Sequence, residues 1–438
     1  MDRSVFEARR RRVMEALGEG GMAILPAAPE RTRSNDVEYR YRQQSDFYYL
    51  TGFPEPGAVA VLRPGHPSEA YVLFVRPRDR ERETWTGRRA GIEGAVTDYG
   101  ADVAYAIEEL DQRLPKMIEE CDQLYYAMNR DDGFTRRVMG WLESAQLARP
   151  RTGRGPTGWR DARALVHEMR LYKEPAELDC MRRAIAISAE AHVAAMRAAR
   201  AGGWEYEIEA LIDYVFRRNG ATGPAYPSIV ASGANATILH YTTNDRRLEA
   251  NDLLLIDAGA EFECYCADVT RTFPLGARFE GARKAAYELV LAAQLAAIDA
   301  VRPGARFDEP HRRAVRTLVE GLVALNVLSG SPDEIEEKEL YKPVYMHRTS
   351  HWLGMDVHDV GLYTQGDAPR ALEPGMVLTV EPGLYVGDHL DDIDPVWHSI
   401  GVRIEDDVLV TETGHEVLTA AVPKRVDELE AIRAAALA

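Results

Sequence analysis

The stretch LLLIDAGAEFECYCADVTRTF, residues 253–273, decides how the second half of the chain folds. Residues 253–256 are consecutive apolar side chains, the pattern of a strand buried on both faces. That strand ends on Asp257, and Ala258-Gly259 supplies a turn. An ionised carboxylate at the end of an apolar strand is costly unless it is paired or holds a metal. Residues 267–273 read as the returning strand, so a hairpin brings Asp268 beside Asp257. Two adjacent carboxylates repel, which raises one pKa unless a cation sits between them.

Three further segments repeat this pattern. HRTSHWLGMDVHD, residues 347–359, places His347, His351 and His358 within one short run. VLTVEPG (377–383) and GVRIEDD (401–407) put Glu381 and Glu405 in or at the end of apolar strands. Taken singly, each has a plainer reading: an Asp before Ala-Gly makes turns, a strand Glu faces water, and His347 is a satisfied core histidine. A zincin helix needs Glu at position 348, where Arg348 stands. Taken jointly, Asp257, Asp268, His351, Glu381 and Glu405 form a set dominated by hard oxygen. Such a set suits two divalent cations about 3.5–4 Å apart. Oxygen with one imidazole favours manganese, with cobalt or zinc as alternatives. Cys264 and Cys266 point the same way if they share a strand. With no second cysteine pair to complete a zinc site, they read as buried thiols.

The rest of the chain sets limits on function. At 438 residues two domains are expected. The charge of 53 basic against 70 acidic residues, a net of -17, argues against nucleic acid or an anionic membrane as partner. The longest apolar stretch, 286–301, is broken by Glu288, Gln294 and Asp299 and falls short of the ~20 residues that span a bilayer. Four scattered cysteines predict no disulfide framework, and the basic N-terminal run has no apolar core. A cytoplasmic protein is expected. In the first third, helices over 6–17, 105–114 (stopped by Pro115) and 134–147 alternate with strands over 21–26, 58–62, 71–75 and 123–128, an α/β pattern. Residues 149–158 read as a loop or linker. Gly153, Gly155 and Gly158 match GxGxxG, but a helix and Pro150 precede them, so no dinucleotide site is expected. Helices over 176–200, 206–218, 279–301 and 309–328, strands over 228–272 and on to about 419, and a last helix from Arg425 make an α+β block. The boundary is placed between an α/β domain at 1–170 and an α+β domain at 171–438.

The set Asp257, Asp268, His351, Glu381, Glu405, in that order, resembles the dinuclear metal site of the pita-bread (creatinase/aminopeptidase-like) metallopeptidases. The strings IDAGAEFECYCADVTRTFP, HRTSHWLGMDVHDVG, LEPGMVLTVEPGLY and GVRIEDDVLVT are most similar to the bacterial aminopeptidase P branch. RSNDVEY (33–39) and SDFYYLTG (45–52) resemble that branch's N-terminal domain. The resemblance implies an α/β N-terminal domain, a pita-bread catalytic domain, and two metal ions. It implies that Asp257 binds one metal through both oxygens, that Asp268 and Glu405 bridge the pair, and that His351 and Glu381 complete the other shell. The nucleophile would be a bridging hydroxide, with Glu381 passing its proton to the leaving nitrogen. His240 and His358 would hydrogen-bond the scissile carbonyl or the oxyanion, and Arg403 would hold carboxylates from outside. His347 and Tyr385 would meet substrate, with packing alone the other reading of Tyr385, and Trp85, in TWTGRR (84–89), would either reach a neighbouring subunit's site in a homodimer or homotetramer or sit in the core. The pattern departs from close relatives at Arg348, where they often carry glycine, and at the two cysteines of 262–267.

The implied activity is hydrolysis of the bond between an N-terminal residue and a penultimate proline in a peptide. Two rivals keep the fold. Prolidase shares the ligands but takes only dipeptides, and a non-catalytic pita-bread protein binds without turnover. A serine hydrolase has less support, because there is no GxSxG and Ser350 sits in no nucleophile elbow.

Overall fold

The computed structural model describes residues 1–128 and 131–438. The chain divides into two compact units, Met1–Met169 and Arg170–Ala438. Among the described residues, no helix is long and apolar enough to cross a membrane.

The first unit is built on a six-stranded mixed sheet in the order Val103–Ala106, Tyr71–Val75, Val59–Leu62, Gly21–Pro26, Gln123–Tyr126, Trp159–Arg160. Its central strands are buried along their whole length, as their unbroken apolar runs predict. The segment expected to be helical from 105 to 114 is reorganised. Residues 105 and 106 end a strand, and the helix is Leu110–Glu120 with Pro115 inside it. A proline in a helix interior costs about 3 kcal/mol. Here Leu110, Leu114, Met117 and Ile118 form one buried stripe spaced by four, three and one, and that packing outweighs the missing hydrogen bond. The expected loop at 149–158 begins later than its prolines suggest. Helix Asp132–Thr152 carries Pro150 in its exposed last turn and ends at Gly153 in the left-handed region. The chain then returns to the sheet as Trp159–Arg160, so this stretch is internal to the unit.

The second unit packs helices Pro175–Ala198, Glu205–Arg218, Gly281–Asp299, Glu309–Ala324 and Val426–Leu437 around several short antiparallel sheets. One continuous core joins Met196, Phe216, Leu254, Ile256, Phe273, Val290, Leu322, Leu384, Val402 and Leu429. A short helix, Pro332–Glu337, is additional to those expected.

The decisive hairpin is more elaborate than a simple return. Strand Leu253–Asp257 pairs with Thr270–Pro274, with Asp257 opposite Thr270. Between them the chain makes a second, smaller hairpin of Ala260–Phe262 and Tyr265–Cys266. Glu263 and Cys264 turn it, both at positive φ. Cys264 and Cys266 therefore do not lie on one strand; Cys264 sits in the turn because the two-residue loop needs left-handed backbone there. Gly259 permits the crossing at the base of this excursion, since a Cβ there would lie 1.7 Å from the Ala267 carbonyl oxygen. That close approach sets Asp257 and Asp268 on neighbouring backbone.

Candidate metal centre

Asp257, Glu381 and Glu405 reach the site at or just past the end of a short strand, where the ladder stops and the next side chain faces a cleft, and Asp268 lies in the chain between Tyr265–Cys266 and Thr270–Pro274. Strand Val377–Val380 delivers Glu381, whose backbone N–H donates to the Thr349 carbonyl at 2.8 Å. Strand Ile400–Arg403 delivers Glu405 two residues on, and the Glu405 N–H donates to the Thr270 carbonyl at 3.1 Å. The segment carrying His347 and His351 is extended rather than helical, and Trp352 bridges to Leu378. These elements enclose a cavity of about 1060 Å³ lined by Asp257, Asp268, His351, Glu381 and Glu405, with His240, His347, His358 and Arg403.

The five expected ligands converge. Atoms of Asp268, His351 and Glu405 lie within 4.8 Å of one another. His351 Nε2 is 3.4 Å from both Asp268 Oδ2 and Glu381 Oε1. Asp257 joins through Tyr226, whose hydroxyl lies 2.6 Å from Oδ1 of Asp257 and 2.6 Å from Oδ1 of Asp268. A phenol has one proton and serves one carboxylate at a time. The other short oxygen contact requires a shared proton or a cation.

Electrostatics point the same way. Burial first, then mutual repulsion with Asp257, raises the Asp268 carboxyl. Burial raises Glu381 to about 7, and burial with the charges of Asp268 and Glu381 lifts Glu405 well above the carboxylate range. Burial pulls the His351 ring down, but the Asp268 hydrogen bond and the charge of Glu381 outweigh it, leaving its pKa at about 9. Four carboxylates thus outnumber the cleft's two guanidinium groups, Arg348 and the committed Arg403. A pair of divalent cations would supply the missing positive charge, displace the His351 proton and return the carboxyls to the ionised form. The donors fit such a pair: oxygen from four carboxylates and one imidazole nitrogen.

The surrounding contacts orient the ligands. Arg403 donates to Asp257 Oδ2 at 2.6 Å, to Thr270 Oγ1 at 3.1 Å and to the Tyr385 hydroxyl at 3.0 Å. Thr270 donates to Glu405 Oε2 at 2.7 Å. His351 Nδ1 donates to the Trp352 carbonyl at 3.0 Å, which turns Nε2 toward the carboxylates. The run Glu405-Asp406-Asp407 is sorted by partners. Burial raises the Asp406 carboxyl, but Arg271 and Lys424 outweigh it and hold Asp406 ionised in a buried ion pair. Arg271 also donates to the Glu405 carbonyl, which leaves the Glu405 side chain facing the cleft.

Other expected residues are placed variously. The His358 ring stands edge-on to His351 with centroids 4.3 Å apart, and His240 lies on the cleft wall. His347 lines the cleft, with Nδ1 donating to the Arg348 carbonyl and Nε2 accepting from Tyr385. Tyr385, expected to meet substrate, is 1% exposed. Its hydroxyl links His347 to Arg403, so it supports the site from behind. Trp352 is wholly buried and stacks on Tyr363. Trp85 lies in the last turn of a short helix, Arg80–Thr86, and is 85% exposed rather than in the core, and it is not among the residues lining the cleft. Thr270 and Thr379, whose hydroxyl donates to Glu381 Oε1 at 3.3 Å, are the neighbours that sequence reasoning passed over, while Tyr226, a candidate only for stacking on the proline ring, instead donates to the acids. Only the alternation of Thr270 with Asp268 on one stretch of chain hinted at any of them.

Residues 179–412 match metallopeptidase family M24, and residues 6–125 match the aminopeptidase P N-terminal domain. The chain is 44% identical over 437 residues to an Xaa-Pro aminopeptidase of Escherichia coli, covering 100% of this chain and 99% of that one. It is 33% identical to a human Xaa-Pro dipeptidase over 98% of this chain and 93% of the other. The solved aminopeptidase PepP of Pseudomonas aeruginosa superposes with a TM-score of 0.98 at 50% identity, over 100% and 99% of the two chains.

Proposed function

The chain belongs to metallopeptidase family M24 and carries an aminopeptidase P N-terminal domain, and from that premise we propose that it is an Xaa-Pro aminopeptidase, releasing the first residue of peptides with proline second. The observation that carries this reading is the convergence of Asp257, Asp268, His351, Glu381 and Glu405 on one cleft wall. Higher identity to the aminopeptidase than to the dipeptidase favours it over prolidase.

Two divalent ions held by these five side chains would acidify a water and polarise the scissile carbonyl. Manganese suits four carboxylates and one imidazole best. Glu381 lies with Oε1 toward His351 and Oε2 3.8 Å from His347 Nδ1, so it can accept a proton inside the site and hand it to the leaving proline nitrogen. His240 and His358, on the same cleft, would donate hydrogen bonds to oxygen as the carbonyl becomes tetrahedral. Arg403 keeps Asp257 aimed through its 2.6 Å contact. The bond before proline lacks an N–H, so strand-like backbone pairing cannot grip the substrate there. Ile229, Leu239, Phe307, Val357 and Tyr363 line the cleft and give the ring an apolar surface instead.

Four free cysteines and the acidic charge support a cytoplasmic setting. The exposed Trp85 supports a homodimer or homotetramer in which that ring is covered. Incubating manganese-loaded protein with Ala-Pro-Ala, Ala-Ala-Ala and Ala-Pro tests the activity. Alanine release from Ala-Pro-Ala well above the other two is expected. Preference for Ala-Pro would make it a prolidase, and no release from any would make it a non-catalytic member.

A further inference from the structure

Arg348 lines the cleft, is exposed, and makes no hydrogen bond or ion pair through its guanidinium among the described residues. The other cationic lining side chain, Arg403, is spent on Asp257, Thr270 and Tyr385. Two acids whose charges act on His311 together with that of Arg348 are also committed: Asp308 accepts two hydrogen bonds from Arg306 at 2.9 Å, and Glu339 is paired with Lys342. The neighbouring His311 ring is neutral near pH 7, since burial and the Arg348 charge push its pKa to about 4, and its Nδ1 is held by Thr349 at 2.9 Å. Arg348 is therefore a guanidinium without a direct ion-pair partner among the described residues, on the wall of a substrate cleft.

Its reach matches a particular substrate length. Arg348 stands three residues before His351, so their Cα atoms are at most ~10 Å apart. In an Xaa-Pro-Yaa tripeptide, the terminal carboxylate lies two residues beyond the scissile carbonyl, roughly 7 Å along an extended chain. A guanidinium suits a carboxylate because its fork can donate two parallel hydrogen bonds.

Building on the aminopeptidase reading above, we propose that Arg348 selects substrates with a carboxylate on the third residue, foremost the free C-terminus of Xaa-Pro-Yaa tripeptides. Arg348 is a specificity-determining residue in this scheme and takes no part in bond cleavage.

The test is steady-state kinetics of the metal-loaded full chain on three substrates: Ala-Pro-Ala as the free acid, Ala-Pro-Ala amide, and Ala-Pro-Asp amide. Wild type should favour the free acid over the Ala-Pro-Ala amide about tenfold in kcat/KM, through KM, which is the scale of one charged hydrogen bond. That ratio should shrink as salt rises, because the pair is exposed to solvent. Arg348→Gln should bring the ratio to about one, and Arg348→Lys should restore part of it. Ala-Pro-Asp amide separates a terminal carboxylate from a side-chain one. If it alone shows the Arg348-dependent advantage, the tripeptide selection is overturned. A ratio that Arg348→Gln leaves unmoved, or equal losses on all substrates, also overturns the proposal while the aminopeptidase reading stands. Wild type that cleaves none of the three overturns both.

Discussion

Arg403 binds three partners that would otherwise compete for orientation: the Asp257 carboxylate, the Thr270 hydroxyl and the Tyr385 hydroxyl. Arg403→Gln keeps some hydrogen bonding but loses the charge beside Asp257. Removing such an outer partner typically costs 10–100-fold in metal affinity or activity. A manganese titration of the variant, read by bound metal and by Ala-Pro-Ala turnover, should show a loss in that range. An unchanged titration would place Arg403 outside the site's support. His192 offers a separate check on the residue scale. Its ring is fully buried on helix Pro175–Ala198, and Nε2 donates to the Ala258 carbonyl at 2.9 Å. Burial pushes its pKa down to about 4, whereas an unfolded histidine titrates near 6.5. Between those values the unfolded chain takes up a proton that the folded chain refuses, so stability falls as pH drops through the window. The contribution is complete above about pH 6.5 and reaches roughly 3 kcal/mol of loss by pH 4. Urea unfolding of metal-free protein at pH 7 and pH 4 should show that extra loss in wild type and not in His192→Gln, and equal losses would contradict it.

At the scale of elements, the loop between His351 and His358 is fixed by charges buried beneath it. Asp359 accepts from Arg170 at 2.5 Å and from Lys173 at 3.0 Å, and all three side chains are at most 1% exposed. Burial raises the Asp359 carboxyl, and the two cations outweigh it and hold it ionised. Gly354 lies against this cluster, since a Cβ there would meet Asp359 Oδ2 at 2.1 Å. Asp359→Asn removes the buried carboxylate facing Lys173 and one of the two that pair with Arg170, Asp356 at 2.8 Å being the other, and should cost about 3 kcal/mol. Thermal or urea unfolding measures it, and a loss under 1 kcal/mol would show the cluster does not anchor the loop. None of this was legible in sequence, because Arg170 and Lys173 stand nearly two hundred residues from their partner. The strand ends bearing Asp257, Glu381 and Glu405 were legible, because a carboxylate closing an apolar run is locally anomalous. The small hairpin around Cys264 was not, because its turn depends on left-handed backbone at Glu263 and Cys264, two residues that carry no turn signal. Pro115 misled for the opposite reason: a strong local stop signal yielded to a buried stripe that only the sheet beneath it explains.

At the scale of the whole molecule, the chain comprises an α/β unit with its own sheet and an α+β unit that holds every candidate ligand. The order of the five candidate ligands along the sequence announced the second unit's architecture, but the support around them came from three-dimensional neighbours such as Tyr226 and Arg271. Binding that favours the folded state also stabilises it, by about 2.7 kcal/mol when free metal exceeds its Kd a hundredfold. The melting temperature should therefore fall on chelation and return with manganese. The most direct measurement is to strip the protein with a chelator, add manganese stepwise, and read bound metal by mass spectrometry alongside Ala-Pro-Ala hydrolysis. Two ions per chain, with activity rising as they bind and lost when Asp257→Ala removes a ligand, is the expected result. Full turnover by protein shown to carry no metal would contradict it.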